Sequence, residues 1–317
     1  MQPRPRTDEK RSKLWFILIA LWLINGSSFL AIKVTIDTIP PLLSAGLRFT
    51  VAGVILFTIF YMRGYHKKER ITKQQWKHAV VLGFTLFLLG QGLLTWGAQY
   101  LSSGMTGLLN STVPLWIAIV AYVIYRKHFS KSTLVGLGAG FGGLMLLVAP
   151  SIGTGTMSPV GTVALLISSV SWAVGSLYSS KANLPVSILA SSAMVMITGG
   201  MMLTAISMLL GEYHNFYLSE ISPQSLTALV YLTAVVTIVG FTDFYWLVRV
   251  TTPSLANTFA YVSPVIAVIL GWALLHEEIT IVTIIAMSVI LAGVAIMVTT
   301  PGKRKKNRHS DMQRVEG

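Results

Sequence analysis

Pro114 and Pro264 stand 150 positions apart, each near the middle of an apolar stretch, and each follows a group of polar residues. The first group is Asn110, Ser111 and Thr112; the second is Asn257, Thr258, Tyr261 and Ser263. Proline carries no amide hydrogen, so inside a helix the carbonyl four residues earlier loses its donor. Those carbonyls belong to Asn110 and Ala260. In hydrocarbon an unpaired carbonyl is costly unless water in a cavity, a ligand or a nearby hydroxyl pairs with it. The chemistry this pattern suits is reversible recognition: two helices that bend at a proline, present polar groups beside the bend and act as hinges.

Other polar and aromatic residues fall at a similar depth in apolar stretches. They are Trp22 and Asn25 in the first, Gln91 and Thr95 in the third, Ser168, Ser169, Ser171, Trp172 and Ser176 in the sixth, and Thr233 and Thr237 in the eighth. Trp22 and Trp172 lie far from either interface, so they suit a cavity wall or a packed core better than an interfacial belt. The serines, and the run Gly136, Gly138, Gly140, Gly142 and Gly143, suit close helix packing. Two charges lie inside apolar stretches, where each costs about 2.5–3.5 kcal/mol at a helix centre. Arg48 could hold an anionic group of a substrate or a carboxylate such as Glu277; Asp243 could pair with Arg249 or carry a coupling proton. Snorkelling to the interface is the alternative for both. Lys33 and Asp37, one helical turn apart, read as a surface pair.

Several kinds of chemistry are excluded. The chain has no cysteine, so thiol catalysis, thiolate metal sites and disulfides are out. No phosphate-binding P-loop is present. The six histidines all fall in loops or at the ends of apolar stretches, and none forms a metal-ligand pair on an intramembrane helix. No cofactor and no metal are expected, and the protein is not expected to be an enzyme.

The elements that must position these residues are membrane helices. Of 317 residues, 53% are hydrophobic and only 11% charged, against about 25% charged in globular domains. Ten spans are predicted, at about 14–34, 42–62, 79–99, 104–125, 132–149, 159–180, 187–210, 226–248, 254–275 and 279–299. The first is read as an uncleaved helix, because no small-residue cleavage site follows its basic start. If the spans alternate from a cytoplasmic N-terminus, all but two of the 24 Lys and Arg residues fall on the cytoplasmic side; the exceptions are Lys33 and Arg48. That is the positive-inside pattern. It accounts for the net charge of +13 without a nucleic-acid partner. The partners expected are a small-molecule substrate and membrane lipid, with a proton as the candidate coupling ion and no oligomeric state set by the sequence.

Five spans in each half make a duplication with opposite insertion of its two copies. At an offset of 150, Trp22 meets Trp172, Trp96 meets Trp246, Pro114 meets Pro264, Thr133 meets Thr283 and Gly143 meets Gly293. The corner after the fourth span reads Arg126-Lys127-His128, and its counterpart reads His276-Glu277-Glu278, so the charge reverses with the side. Inverted repeats of this kind are a common plan of secondary transporters. The expected organisation is a cytoplasmic segment at 1–13, a first repeat at 14–150, a second at 151–300 and a basic cytoplasmic tail at 301–317.

Four stretches carry a family resemblance: Trp22 to Lys33, Pro40 to Phe49, Ser171 to Tyr178, and Ala256 to Pro264 continuing to Glu277-Glu278. In this order they resemble the drug/metabolite transporter superfamily, EamA-type, over about residues 14–300. The resemblance implies ten helices in two inverted repeats, both termini in the cytoplasm of a bacterial cell, and export of amino acids or other metabolites. One departure is visible: the family often has Trp-Gly where this chain has Asn25-Gly26, which bears on substrate preference.

The expectation is therefore an all-α integral membrane protein working by alternating access around a midplane site. Trp22 and Trp172 would pack the substrate, and Asn25, Gln91, Asn110, Asn257 and Tyr261 would hydrogen-bond it. Pro114 and Pro264 would be the hinges. Two alternatives stay open: an exporter of lipophilic cationic drugs, for which Asp243 is the candidate carboxylate, and a non-transporting membrane scaffold or receptor.

Overall fold

A computed structural model describes residues 7–67, 69–126, 131–154, 158–214, 216–240, 243 and 259–299. Every regular element among them is helical. Helices α1 (Thr7–Thr35) and α2 (Pro41–Met62) come first. Helix α3 (Lys73–Leu82) runs through a π-helical segment (Gly83–Gly92) into α4 (Leu93–Gly97). Helices α5 (Ser103–Asn110), α6 (Val113–Tyr125), α7 (Lys131–Thr154), α8 (Pro159–Ser179) and α9 (Ile188–Leu209) follow. Helix α10 (Pro223–Tyr231) enters a second π-helical segment (Leu232–Val239), and α11 (Phe259–Leu275) and α12 (Ile281–Thr299) complete the fold.

Six helical stretches among the described residues are long and apolar enough to cross a membrane: Leu14–Thr35, Pro41–Met62, Lys73–Tyr100, Ser103–Ile124, Pro159–Ser179 and Ile188–Leu209. Shorter apolar helices cover Lys131–Leu147, Pro223–Val239, Val262–Leu275 and Ile281–Ile296. Large apolar side chains such as Val123, Met145, Met201 and Trp272 are exposed, whereas Arg48, Thr95, Thr106 and Ser168 are buried. An apolar exterior around a partly polar interior is what a lipid-facing protein requires, because lipid tails give apolar side chains no reason to turn inward.

Two helix pairs pack most closely, α2 with α9 and α7 with α12. Both depend on glycine. A Cβ on Gly143 would lie 2.9 Å from the Ile290 nitrogen and 3.0 Å from the Ala286 oxygen; one on Gly293 would lie 2.6 Å from the Gly140 nitrogen and 2.7 Å from the Gly136 oxygen. Each residue of the second contact is 150 from a residue of the first. In α2 and α9, a Cβ on Gly200 would lie 2.5 Å from the Thr50 nitrogen, and one on Gly46 would lie 2.8 Å from the Thr204 nitrogen. Small residues let the backbones approach and gain dispersion contact, the main attraction available in lipid. Neighbour relations also recur five spans on: α1 packs on α10 and α11 as α8 packs on α4 and α6.

The same two helices, α2 and α9, cap one another. The residue preceding each, Pro40 and Ser187, supplies no side-chain cap of its own. Glu212, just beyond the C-terminal end of α9, accepts hydrogen bonds from the Leu42 and Leu43 amides at 3.3 and 3.0 Å. Glu69, beyond the C-terminal end of α2, accepts from the Val186 and Ser187 amides at the start of α9. A carboxylate at a helix N-terminus pairs with free amides and with the positive end of the helix dipole. Both turns that deliver these glutamates pass through a glycine of positive φ, Gly64 (70°) and Gly211 (75°), a conformation in which glycine avoids the Cβ clash.

The starts of α3 and α10 also match. Thr72 accepts from the Gln75 amide and Ser222 from the Ser225 amide, and Gln75 returns the bond to Thr72 as a capping box. Replacing Gly293 by Val is expected to loosen the α7–α12 seam by about 1–3 kcal/mol, the usual cost of overpacking. Gly138→Ala, whose added Cβ would meet nothing within 4 Å, serves as the control and does not lower the melting temperature in detergent.

Candidate functional site

The two prolines behave differently. Pro114 does not bend one continuous helix: the chain stops at Asn110, passes through Ser111 and Thr112, and starts again at Val113, with Pro114 in the first turn of α6. There the missing amide hydrogen removes no helical bond. The backbone amides and the hydroxyls of Ser111 and Thr112 both donate to the carbonyls of Leu108 and Leu109, the hydroxyls at 2.7 and 2.6 Å, so this interruption is closed locally. Pro264 lies inside α11 and is buried. Beside it the Ser263 hydroxyl is buried with no hydrogen-bond partner among the described residues. A Cβ on Gly26 of α1 would lie 3.1 Å from the Ser263 carbonyl oxygen, so α1 and α11 touch at the second proline.

The π-helical segments organise the polar interior. A π-helix widens the turn and displaces carbonyls from their usual donors, and such segments frequently accompany functional sites. Across the first segment, Ser168 of α8 donates to the Gly90 carbonyl at 2.6 Å and Ser171 donates to the Thr85 carbonyl at 3.0 Å. The Trp172 ring packs over Gly90, where a Cβ would lie 3.1 Å from the ring. Gln91 follows at once, half-buried, and its amide has no partner among the described residues. In the second segment, Thr237 donates to the Leu232 carbonyl five residues back at 2.8 Å.

The other expected residues scatter. Trp22 is half-buried in α1. The Asn25 amide nitrogen donates to the Leu21 carbonyl of its own helix at 2.9 Å, which commits part of its hydrogen-bonding capacity. Asn110 is half-buried at the end of α5. Asn257 and the side chain of Tyr261 lie outside the described residues, as does Arg249. Asp243 is half-buried. Thus Trp172 packs on the π-helical segment that carries Gln91, Asn110 stands beside the Pro114 interruption, and Trp22 and Asn25 both lie on α1.

Two charge pairings expected from sequence are replaced by others. Lys33 does not pair with Asp37; its ammonium donates to the carbonyls of Ala98, Gln99 and Leu101 at 2.9, 3.2 and 2.8 Å. These carbonyls lie at the end of the third helical stretch, where acceptors outnumber backbone donors and a cation supplies further hydrogen bonds. Glu277 does not pair with Arg48. Its carboxylate accepts from the Ser103 amide at 2.6 Å, the Ser103 hydroxyl at 2.9 Å and the Gly104 amide at 3.2 Å, at the start of α5. One corner, residues 98–104, is therefore held by a lysine from α1 and a glutamate that follows α11. Helix ends without enough donors or acceptors of their own are the sequence signal for such distant caps, but the signal does not name the partner.

Arg48 is 8% exposed. Its Nε donates to the Thr237 hydroxyl at 2.8 Å, and its Cζ lies 4.8 Å from the centroid of the Phe49 ring. That ring in turn meets Phe87 of the first π-helical segment edge-on at 4.6 Å. The arginine thus links α2 to both π-helical segments.

Comparison with known proteins agrees with this architecture. The family described as EamA-like transporter matches the chain twice, over residues 12–149 and 159–299. The uncharacterized inner membrane transporter YedA of Escherichia coli K12 is 33% identical over 92% of this chain and 91% of its own length. The uncharacterized transporter YoaV of Bacillus subtilis is 27% identical over 92% of this chain and 99% of its own. A crystal structure at 17% identity shares the fold, with a TM-score of 0.60 over 90% of this chain and 97% of that one.

The clamp on residues 98–104 is open to direct measurement. Glu277→Ala is expected to release the Ser103 and Gly104 amides and weaken the start of α5 by about 0.5–2 kcal/mol, the usual cost of losing a cap. Hydrogen–deuterium exchange should then speed up at these amides while the α7–α12 seam is unaffected. Glu277→Gln, which keeps one acceptor oxygen, should fall between the two.

Proposed function

This chain belongs to the EamA-like transporter family, and from that premise we propose that it is a secondary carrier of small polar metabolites, such as amino acids, in a bacterial inner membrane. Membership makes it a membrane transporter. The finer reading adds two inverted five-helix halves, alternating access between them, cytoplasmic termini and outward transport.

One observation carries the proposal: the Gly143 contact with residues 290 and 286 is matched at Gly293 by a contact with residues 140 and 136. A two-fold relation between halves 150 residues apart produces this exchange of partners. The π-helical segments support it, since 83–92 and 232–239 occupy corresponding places in the two halves. So do the caps at Thr72 and Ser222 and the double match to one family.

In this reading the glycine seams α2–α9 and α7–α12 hold the halves together. The interrupted α5–α6, the proline-bearing α11 and the π-helical segments flank the substrate path. Asn25, Gln91, Asn110, Asn257 and Tyr261 offer hydrogen bonds, Trp22 and Trp172 offer packing surfaces, and the regions of Pro114 and Pro264 change shape as access alternates. Asp243 is the candidate carrier of a coupling proton.

The test is counterflow in proteoliposomes loaded with single unlabelled metabolites, followed with labelled amino acids, organic acids and sugars. Saturable exchange is expected for at least one small polar compound, with a loss of about tenfold or more in Gln91→Ala if its amide contributes a hydrogen bond that would otherwise leave a polar group unpaired. Absence of flux across the whole panel would sink the carrier reading.

A further inference from the structure

The Arg48 guanidinium is the feature that the fold leaves least explained. It is buried, at 8% exposure, yet among the described residues it makes one hydrogen bond, from Nε to Thr237. Among the described residues no carboxylate pairs with it: Glu277 is committed to the start of α5 and Glu212 to the start of α2. A buried arginine keeps its charge and presents five N–H donors, and an uncompensated charge in a membrane interior is costly and marks function by default.

Arg48 lines a small cavity of about 10 Å³, together with Thr35, Ser44, Thr95, Ile32, Leu229 and Leu232. The hydroxyls of Thr35 and Ser44 donate to the carbonyls of Ala31 and Pro41, so their own hydrogens are spent. Thr95 has no partner among the described residues. The cavity therefore combines one cation, a free hydroxyl and an apolar wall, and it lies between α1, α2, α10 and the third span.

We infer that Arg48 is the subsite for the carboxylate of the transported compound. The inference rests on the carrier reading above and names its substrate class: compounds bearing a single carboxylate, zwitterionic amino acids or small monocarboxylic acids. A guanidinium matches a carboxylate in shape and can hold both oxygens. One positive charge balances one carboxylate, whereas a phosphate dianion calls for further cations, and among the described residues no other lysine or arginine lines this cavity. A lipophilic cation would add charge beside an unneutralised arginine.

The cavity as it stands has room for about one water molecule, so the carboxylate enters only when the walls part. Thr237 and Leu232 both lie on the second π-helical segment, and Thr95 follows closely on the first. A shift of either segment towards regular α-helix changes the Arg48 surroundings directly.

The experiment compares each labelled or competing L-amino acid and monocarboxylic acid with its own primary amide, in proteoliposomes containing wild-type protein and in melting curves of the purified protein in detergent. The acid is expected to compete and to raise the melting temperature, with the amide weaker by more than tenfold. Arg48→Gln is expected to lose more than tenfold in apparent affinity for the acid and to abolish the difference between acid and amide, and Arg48→Lys to retain part of it. Equal handling of acid and amide by the wild-type protein would overturn the assignment while leaving the carrier intact, and that comparison holds even if Arg48→Gln fails to fold. Transport of lipophilic cations in place of acids would also overturn it. No flux and no melting shift for any compound would remove the carrier reading, and this subsite with it.

Discussion

A peptide group inside hydrocarbon has no water to turn to, and the arrangement of this protein follows from that constraint. Regular helix satisfies most of the backbone. At several places where the helix is interrupted, widened or ended, a side chain adds the missing partner. Ser111 and Thr112 close the gap before Pro114. Ser168 and Ser171 reach across to carbonyls of the first π-helical segment. Lys33 holds three carbonyls at one helix end, and Glu277, Glu212 and Glu69 hold amides at three others. Few of these charges pair with each other; they pair with backbone. That leaves Arg48 conspicuous, as a buried charge that no helix end requires.

The glycine seams supply the complementary attraction. Lipid offers no hydrophobic drive between helices, so close approach of backbones must do the work. Gly143 and Gly293, with Gly46 and Gly200, permit it. Two rigid seams beside helices that are broken or widened form a body with stiff and pliable parts already sorted.

Much of the architecture was legible in the residues. Apolar runs of about 20 residues and the placement of Lys and Arg foretold a multi-pass helical protein, and family membership is now plain. Pro114 was recognised as a disturbance, but whether it kinks a helix or begins a new one depends on Ser111 and Thr112 bonding backwards, which composition does not reveal. The π-helical segments were invisible, because Leu232–Val239 reads as an ordinary apolar run and its widened turn depends on packing. The surface pair expected for Lys33, and the Glu277 partner considered for Arg48, give way for one reason. Charge complementarity suggests another side chain as partner, while a helix end offers several aligned peptide groups at once and wins. Asn257, Tyr261 and Arg249 were singled out for a half of the site that lies outside the described side chains.

The exchange of glutamates between α2 and α9 bears on how the chain is made. The first amides of α2 are held by Glu212, which the ribosome delivers some 170 residues after them. The second helix of the nascent chain therefore enters the membrane with its leading amides uncapped, and it stays so until the seventh span has been threaded back beside it. At that moment Glu69, waiting since the second span was completed, finds the start of α9. The two helices thus share a mutual latch that can close only once Glu212 has emerged, when synthesis is about two-thirds done and the last helices are still to come.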